Sequence, residues 1–194
     1  PTTEQAPIDP QYPYALSKLM GEQAVFHWNK VYNLPVMSIR IFNAYGPRLP
    51  SNAYGQVTGI FLEQCRREVP LAIHGDGLQT RSFTWVEEVV DGIRIAGELD
   101  VGLDGSKLAG QSFNLGSTDE VSIADLAALC IKVSGSKSTI EFQAEGHPGD
   151  SKRRLPDLES AERVLGWTPF QPLAEGLASS WRWLMAEVGP IDRE

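Results

Sequence analysis

The chain has 194 residues, an ordinary globular composition and a formal net charge of −8, which together exclude several classes of function. An acidic chain is a poor nucleic-acid binder, because that function requires a basic face to neutralise phosphates. No apolar run approaches the roughly 20 residues that a membrane-spanning helix needs, and no basic segment followed by an apolar stretch marks a secretory signal. We therefore predict a cytoplasmic protein that binds neither nucleic acid nor membrane.

Segments with helix-like and strand-like patterns alternate along the chain. The first 13 residues contain four prolines and predict an extended loop. Helices are predicted over about 14–32, 57–68, 87–99, 123–135, 158–166 and 172–188. Strands are predicted over 36–43, 70–75, 81–86, 111–116 and 138–143. This alternation favours an α/β architecture with parallel strands.

Two of the predicted helices carry finer local expectations. Ser122 and Gly135 flank the helix at 123–135 as its N-cap and C-cap residues. The apolar spacing of the first helix predicts these inward positions: Leu19, Val25, Trp28 and Val31.

The cysteines and histidines show no metal-like spacing. Cys65 and Cys130 each lie in an apolar helical pattern and are predicted to be buried thiols without a disulfide. His27, His74 and His147 are interpreted as structural or surface residues, because no cysteine or carboxylate accompanies them at ligand spacing. We therefore predict no metal site.

The most informative segment is Tyr14-Ala-Leu-Ser-Lys18. Positions i and i+4 of a helix project from the same face, so the phenol and the ammonium become neighbours. A cation beside a phenol favours its deprotonated form, which can act as a general base. Taken alone the spacing is a weak signal, because many helices carry such a pair as solvated surface residues.

Further motifs follow this pair in order and together resemble one family. The proline-rich loop, Tyr-Pro-Tyr-Ala-Leu-Ser-Lys at 12–18, the amphipathic helix and Arg-Ile-Phe-Asn-Ala-Tyr-Gly-Pro-Arg at 40–48 resemble the extended short-chain dehydrogenase/reductase family. The similarity is to its NAD-dependent sugar-nucleotide epimerases, dehydratases and decarboxylases. It continues to RRLPDLESAERVLGWTP at 153–169 and so covers nearly the whole chain.

The resemblance implies a nucleotide-sugar site assembled from several segments. Asn43 would contact the phosphates, although an asparagine there can also simply bond the backbone at a strand end. Arg81 and Arg154 would hold the diphosphate, where the alternative is a surface role. A loop closing over the nucleotide and a strand whose backbone contacts the base would supply the remaining residues: Gln56, Val57, Leu71 and Ile73.

The same resemblance implies the fold and its division. We expect the C-terminal part of a doubly wound, Rossmann-type parallel sheet together with a smaller α/β substrate-binding domain. Residues 1–44 would belong to the dinucleotide-binding domain, with 84–116 possibly rejoining it, and residues 45–194 would bind the sugar nucleotide. One departure from the family is Val86-Glu87-Glu88, where Val-x-Asp is usual. The extra methylene of Glu88 is expected to alter a capping or interdomain hydrogen bond, and no catalytic role is assigned to it.

The chemistry that the resemblance implies centres on Tyr14 and Lys18, which would also contact the cofactor. Tyr14 would remove the 4-hydroxyl proton of the sugar while NAD+ takes hydride from the same carbon, and Lys18 would hold the nicotinamide ribose. NADP stays an alternative. The family's Gly-rich turn, acidic ribose ligand and catalytic Ser or Thr are expected upstream of Pro1, so this chain by itself is predicted to be inactive.

The specific reaction is predicted from branch-like segments. NAYGQVTGIF at 52–61 and RSFTWV at 81–86 favour NAD-dependent 4-epimerisation of a UDP-hexose. RRLPD at 153–157 favours the alternatives, a UDP-glucuronate decarboxylase or a dTDP-glucose 4,6-dehydratase. A hypothesis of another class is a non-catalytic sugar-nucleotide binder or a truncated product. Apolar residues on more than one side of the helix at 14–32 predict a second buried face. The resemblance implies that this face forms a homodimer through a four-helix bundle.

Overall fold

The computed structural model describes residues 1–50, 56–144 and 153–189. Its α-helices are α1 (Pro13–Tyr32), α2 (Val57–Arg67), α3 (Val86–Glu98), α4 (Ile123–Ser134) and α5 (Leu173–Val188), with a π-helical turn at Ala161–Leu165. Its strands are β1 (Ser38–Ile41), β2 (Ala44–Tyr45), β3 (Leu71–His74), β4 (Thr80–Ser82), β5 (Thr84–Trp85), β6 (Ser112–Leu115), β7 (Glu120–Ser122), β8 (Ile140–Gln143) and β9 (Arg153–Arg154). His147 and residues 52–55 of the predicted epimerase-like loop lie outside the described residues.

The helix ends are determined by local sequence. Pro13 occupies the first turn of α1, and Asn33 ends that helix in a left-handed conformation with φ 53°. The Ser122 side chain accepts a hydrogen bond from the Asp125 backbone N–H at 3.0 Å, and Gly135 ends α4 at φ 66°. The predicted caps of α4 are therefore confirmed.

Parallel pairing dominates the described strands, as predicted. β1 pairs with β6 from Ser38↔Ser112 to Ile41↔Leu115, and β3 pairs with β8 and β2 with β5 in the same sense. The exception is β4, which lies between antiparallel β7 and parallel β9. These pairings make the chain an α/β fold.

The single strand predicted over 81–86 is wrong, because the chain changes sheet within it. β4 ends at Ser82 and pairs with β7 and β9, whereas β5 begins at Thr84 and pairs with β2. Phe83 lies between them and is buried, with 4% exposed. The Thr84 N–H donates to the Asn43 carbonyl at 3.1 Å, which continues the second pairing.

Two apolar clusters form the core. One gathers buried side chains of α2, α4 and α5 against β3 and β5, and it contains both thiols, Cys65 and Cys130. The other packs β6 and α3 against the segment around the π-helical turn and Trp167. Burial raises the pKa of both thiols, as expected for the buried cysteines that the sequence predicts. The division into domains at residue 44 stays a prediction.

The first helix packs less deeply than its sequence suggests. Leu19 and Val25 are half-buried as predicted, but Trp28 and Val31 are 53% and 65% exposed, so these two inward assignments are wrong. Trp28 instead stacks on Tyr32, with 4.8 Å between the ring centroids. In the parts of the chain that the structure describes, no helix combines the length and apolarity needed to span a bilayer.

Candidate functional site

The Tyr14–Lys18 pair lies on the first two turns of α1. The Lys18 Nζ atom is 5.4 Å from the centroid of the Tyr14 ring, as the i, i+4 spacing predicts. Both side chains line an open groove of about 720 Å³ between α1 and the segment Met37–Ile41, which we call the α1–β1 groove. Tyr14 is 66% exposed, so its hydroxyl is accessible to a ligand in the groove.

A partly buried ion pair fixes this helix on β1. Glu22 lies one turn beyond Lys18, and its carboxylate accepts hydrogen bonds from Arg40 Nε and Nη2 at 2.9 and 2.6 Å. Ser38 Oγ donates to the same carboxylate at 2.8 Å, while Arg40 Nη1 donates to the Glu4 carbonyl at 2.8 Å. The hydrogen bonds from Arg40 hold the pKa of Glu22 below its usual value, although partial burial opposes them.

Glu22 is therefore a residue that the sequence analysis missed. The four-residue spacing that links Tyr14 to Lys18 extends to Glu22, which is the signal that would have indicated it. Because its side chain is only 10% exposed, its interaction with Arg40 is shielded from water. The pair holds the face of α1 that carries Tyr14 and Lys18 in a fixed position on the strand.

A second concave site, the Arg81 cavity, has a volume of about 260 Å³. It brings together five residues that the sequence predicts to contact substrate: Asn43, Gln56, Val57, Ile73 and Arg81. The other lining residues are Ala72, His74, Gln79, Phe83 and Ile123. Predicted residues from four separate segments thus share one cavity.

Leu71 and Arg154 are the predicted substrate residues that do not line this cavity. Leu71 is completely buried, and its N–H donates to the Thr139 carbonyl at 2.8 Å within the β3–β8 pairing. Arg154 is half-buried on β9, where it is the register partner of Arg81 on the parallel strand β4. Register partners on neighbouring strands project from the same side of a sheet, so Arg154 lies beside Arg81.

Arg81 is almost completely buried, with 6% exposed. Its Nη1 atom donates to the carbonyl of Thr80 at 2.7 Å, which anchors the guanidinium near the sheet. A guanidinium carries five N–H donors in a planar arrangement, which matches the oxygens of a phosphate or a carboxylate. Its burial and its place in the lining suit it to hold an anion inside an acidic protein.

Asn43 combines the two roles that its position in the sequence suggests. It adopts a left-handed conformation with φ 43° between β1 and β2, and its Nδ2 atom donates to the Ser82 carbonyl at 2.8 Å. It also lines the Arg81 cavity. This side-chain bond connects the segment between β1 and β2 to β4, so Asn43 helps to define the wall of the cavity as well as lining it.

His74 and Gln79 belong to the cavity although the sequence analysis did not place them there. His74 ends β3, and its carbonyl accepts a hydrogen bond from Gln79 Nε2 at 3.1 Å. Their place after a predicted strand would have indicated them, because ligands of parallel α/β sheets bind at the carboxyl ends of strands. His74 ends such a strand, as Asn43 follows another.

Glu88 lies away from both sites and has a structural role. Its side chain, in a residue only 3% exposed, accepts hydrogen bonds from the backbone N–H groups of Phe170 and Gln171 at 2.5 and 2.6 Å. Its own carbonyl accepts from Trp167 Nε1 at 2.9 Å. Glu88 therefore connects α3 to the segment that leads into α5.

Comparison with known proteins finds sequences similar to this one over most of the chain. The sequence pattern of a family described as GDP-mannose 4,6 dehydratase matches residues 1–179. A UDP-glucose 4-epimerase of Mycolicibacterium smegmatis is 35% identical over 183 residues, which are 93% of this chain and 55% of that protein. UDP-glucuronic acid decarboxylase 1 of Xenopus tropicalis is 34% identical over 182 residues, 94% of this chain and 41% of that protein.

Solved structures resemble the fold over nearly its whole length. UDP-glucose 4-epimerase of Thermotoga maritima with UDP-glucose matches with a TM-score of 0.87 at 27% identity, covering 96% of this chain and 57% of that one. UDP-glucuronic acid 4-epimerase of Bacillus cereus, in complex with UDP-glucuronic acid and NAD, matches with a TM-score of 0.82 at 29% identity, covering 92% and 54%. The chain thus spans about half the length of the proteins it matches.

Proposed function

Because the chain belongs to the GDP-mannose 4,6-dehydratase family of extended short-chain dehydrogenases/reductases, we propose that the protein modifies a nucleotide sugar through a transient 4-keto sugar. Its reaction would be NAD-dependent 4-epimerisation of a UDP-hexose. The observation that carries this proposal is the Tyr14–Lys18 pair, which borders the α1–β1 groove with 5.4 Å between the ammonium and the phenol ring. Epimerases of UDP-sugars among its relatives support the choice of reaction.

The relation between the two concave sites supports a single extended ligand. Ile41 lines the α1–β1 groove, and Asn43, two residues later in the chain, lines the Arg81 cavity. Two residues along an extended chain span about 7 Å, which suits a sugar joined to a diphosphate. A nucleotide diphosphate held by Asn43, Arg81 and Arg154 would direct its sugar toward Tyr14.

The α1–β1 groove also suits the nicotinamide end of NAD. Lys18 supplies three N–H donors for ribose hydroxyls, and Val25, Met37 and Ile39 supply an apolar wall. The ribose hydroxyls of NAD match the Lys18 donors, and its nicotinamide ring matches the apolar wall. When bound, NAD would supply a hydride acceptor in its oxidised form and a hydride donor in its reduced form for the sugar C4 atom.

In the proposed mechanism Tyr14 and Lys18 act on the proton. The Tyr14 oxygen, as phenolate, accepts the proton of the sugar 4-hydroxyl as C4 is oxidised, and it returns a proton to that oxygen when C4 is reduced. The ammonium of Lys18 stabilises the phenolate electrostatically. Glu22 and Arg40 hold the helix so that both groups face the groove.

Replacing Tyr14 by Phe in the full-length protein tests the assignment. We expect kcat for interconversion of UDP-glucose and UDP-galactose to fall by roughly two to four orders of magnitude, the usual range for a lost general base. The affinity for UDP should stay unchanged, since Tyr14 lines the groove and not the Arg81 cavity. Tyr32→Phe is a matched control, because Tyr32 lies on the same helix and is 63% exposed. Near wild-type turnover in Tyr14→Phe contradicts the proposal.

Decarboxylation of UDP-glucuronate is the second candidate reaction. It is favoured by the 34% identity to UDP-glucuronic acid decarboxylase 1 and by the decarboxylase-like segment that contains Arg154. Release of carbon dioxide from UDP-glucuronate would identify it, while a panel with dTDP-glucose tests the 4,6-dehydratase alternative. Tight UDP binding without turnover of any of these sugars would favour a non-catalytic binder.

We also propose a homodimer in which α1 packs against its counterpart. The helix exposes apolar side chains that the described part of the chain leaves uncovered: Leu16, Met20, Trp28, Val31 and Tyr32. Phe26 is half-buried whereas Trp28 is 53% exposed, so Trp28 is the one of the two positioned to anchor such a contact. A contiguous apolar surface of this kind favours association.

A further inference from the structure

The described part of strand β9 comprises Arg153 and Arg154, which pair with β4 through Thr80↔Arg153 and Arg81↔Arg154. Side-chain contacts add to this backbone pairing and bear on the position of Arg154 beside Arg81.

Glu120 provides such a contact from β7, the strand that flanks β4 on the side away from β9. It lies on β7, across from Ser82 of β4. One carboxylate oxygen accepts hydrogen bonds from Thr80 Oγ1 at 2.5 Å and Arg153 Nε at 2.7 Å, and the other accepts from Arg153 Nη2 at 2.7 Å. A single carboxylate thus connects β7, β4 and β9. We call these three side chains, Glu120, Thr80 and Arg153, the Glu120 clasp.

The clasp and the arginine pair lie on opposite faces of the sheet. Successive side chains of a strand alternate between faces, so Thr80 and Arg153 project from one face and Arg81 and Arg154 from the other. Holding Arg153 on one face consequently fixes the direction of Arg154 on the other. The bidentate geometry makes this constraint directional, because a guanidinium and a carboxylate match in only a few orientations.

We propose that Glu120 is a positioning residue for the nucleotide diphosphate, a role that rests on the proposed function. By holding Arg153, it keeps Arg154 in register beside Arg81, so that two guanidiniums meet the diphosphate together. Glu120 itself touches no substrate, since it lies on the other face of the sheet. It acts on affinity through Arg154.

The clasp stays charged across the working range of pH. Hydrogen bonds from Arg153, and next from Thr80, lower the pKa of Glu120 to about 2. A carboxylate with a lowered pKa loses its contribution only as the pH falls through that value. The effect of Glu120 on ligand affinity should therefore be the same at pH 6 and pH 8.

The test is calorimetry of UDP binding to the full-length protein. Glu120→Gln keeps the size of the side chain and removes its charge, and we expect it to weaken UDP binding roughly tenfold, about the effect of one charge-assisted hydrogen bond. In an Arg154→Ala background the same substitution should produce no further loss, because Glu120 acts through Arg154. Arg153→Gln should reproduce the loss and carries the test if Glu120→Gln fails to fold.

The matched control is Asp104→Asn. It breaks an ion pair with Arg163 whose side chains are 55% and 20% exposed, against 55% and 26% for Arg153 and Glu120. Asp104 does not line the Arg81 cavity, so UDP affinity should not change in this variant. A loss of affinity in Asp104→Asn equal to that in Glu120→Gln would overturn the positioning role, because it would indicate general loosening.

Two further outcomes separate this inference from the proposed function. If Arg81→Ala weakens UDP binding while Glu120→Gln and Arg153→Gln do not, the positioning role is wrong and the diphosphate site stands. A full additional loss on combining Glu120→Gln with Arg154→Ala also overturns it. If neither Arg81→Ala nor Arg154→Ala changes UDP affinity, the proposed site itself fails.

Discussion

Replacing Glu88 by Asp should destabilise the protein although it restores the residue that is usual in the family. The Glu88 side-chain oxygen lies 2.5 and 2.6 Å from the backbone nitrogens of Phe170 and Gln171. Aspartate is shorter by one C–C bond, about 1.5 Å, so both distances would lengthen to about 4 Å, beyond hydrogen-bonding range. The substitution therefore breaks both contacts without changing the charge.

The magnitude follows from these two bonds. A hydrogen bond to a charged group contributes about 1.5–3 kcal/mol, so the pair is worth about 3–6 kcal/mol at most. Phe170 is 79% exposed, so a water molecule can accept a hydrogen bond from its backbone N–H when the Glu88 carboxylate no longer does. We expect Glu88→Asp to lower the free energy of unfolding by about 2–4 kcal/mol. With an m-value of about 2–3 kcal/mol/M, the urea midpoint should fall by roughly 1 M.

Two comparison variants show whether the length or the charge of the Glu88 side chain determines the loss of stability. Glu88→Gln keeps the length of the side chain and an acceptor oxygen, so it should cost less, about 1–2 kcal/mol, as charged hydrogen bonds become neutral ones. Glu187→Asp is the control for the same shortening, because Glu187 is exposed on helix α5. Its effect should stay within about 0.5 kcal/mol, as is usual for surface positions.

Urea unfolding followed by circular dichroism measures these differences, and amide hydrogen exchange locates them. The amides of Phe170 and Gln171 should exchange faster in Glu88→Asp, because they lose their acceptor. The reasoning is refuted if Glu88→Gln costs as much as Glu88→Asp, since charge and not reach would then determine stability. Unchanged exchange at both amides would refute it as well.

Two further predictions concern α1. Glu22→Gln should lower the free energy of unfolding at pH 7 by about 1–3 kcal/mol, because the partly buried Arg40 loses a charged acceptor. The pKa of Glu22 is lower in the folded state than its unfolded value near 4.5. The stability that the Glu22 carboxylate contributes is therefore present above pH 4.5 and is lost as the pH falls through the folded pKa. The difference in urea midpoint between Glu22→Gln and wild type should shrink in that acid range. The full-length protein should be a dimer by light scattering through the face that contains Trp28, and a monomer at tens of micromolar would refute that interface.

Much of the fold is encoded in local sequence. The helix that carries Tyr14 and Lys18, its end at Asn33, and the capping of α4 by Ser122 and Gly135 were all predicted within a few residues. These features depend on neighbours within about one helical turn, where side-chain spacing and backbone preference act directly. The alternation of strands and helices likewise predicts parallel pairing, because each crossover helix returns the chain in the same direction.

Other features depend on which distant segments pair, and periodicity contains no such information. The split of the predicted strand at Phe83 arises because Ser82 and Thr84 join different sheets. Trp28 and Val31 have the spacing of inward residues, yet α1 turns another stripe toward β1. A local pattern thus predicts which residues are available for pairing or burial, while distant partners determine which sheet a strand joins and which side of a helix is buried.

The candidate site divides in the same way. The resemblance of short motifs indicates Asn43, Gln56, Val57, Ile73 and Arg81 one by one, and the tertiary structure brings them to a single cavity. No motif indicates the contacts that hold the site together, because Glu22 meets Arg40 across 18 residues and Glu120 meets Arg153 across 33. Ionic contacts of that range depend on which strands pair. Residue type and spacing therefore indicate the candidate groups, while strand pairing determines what positions them.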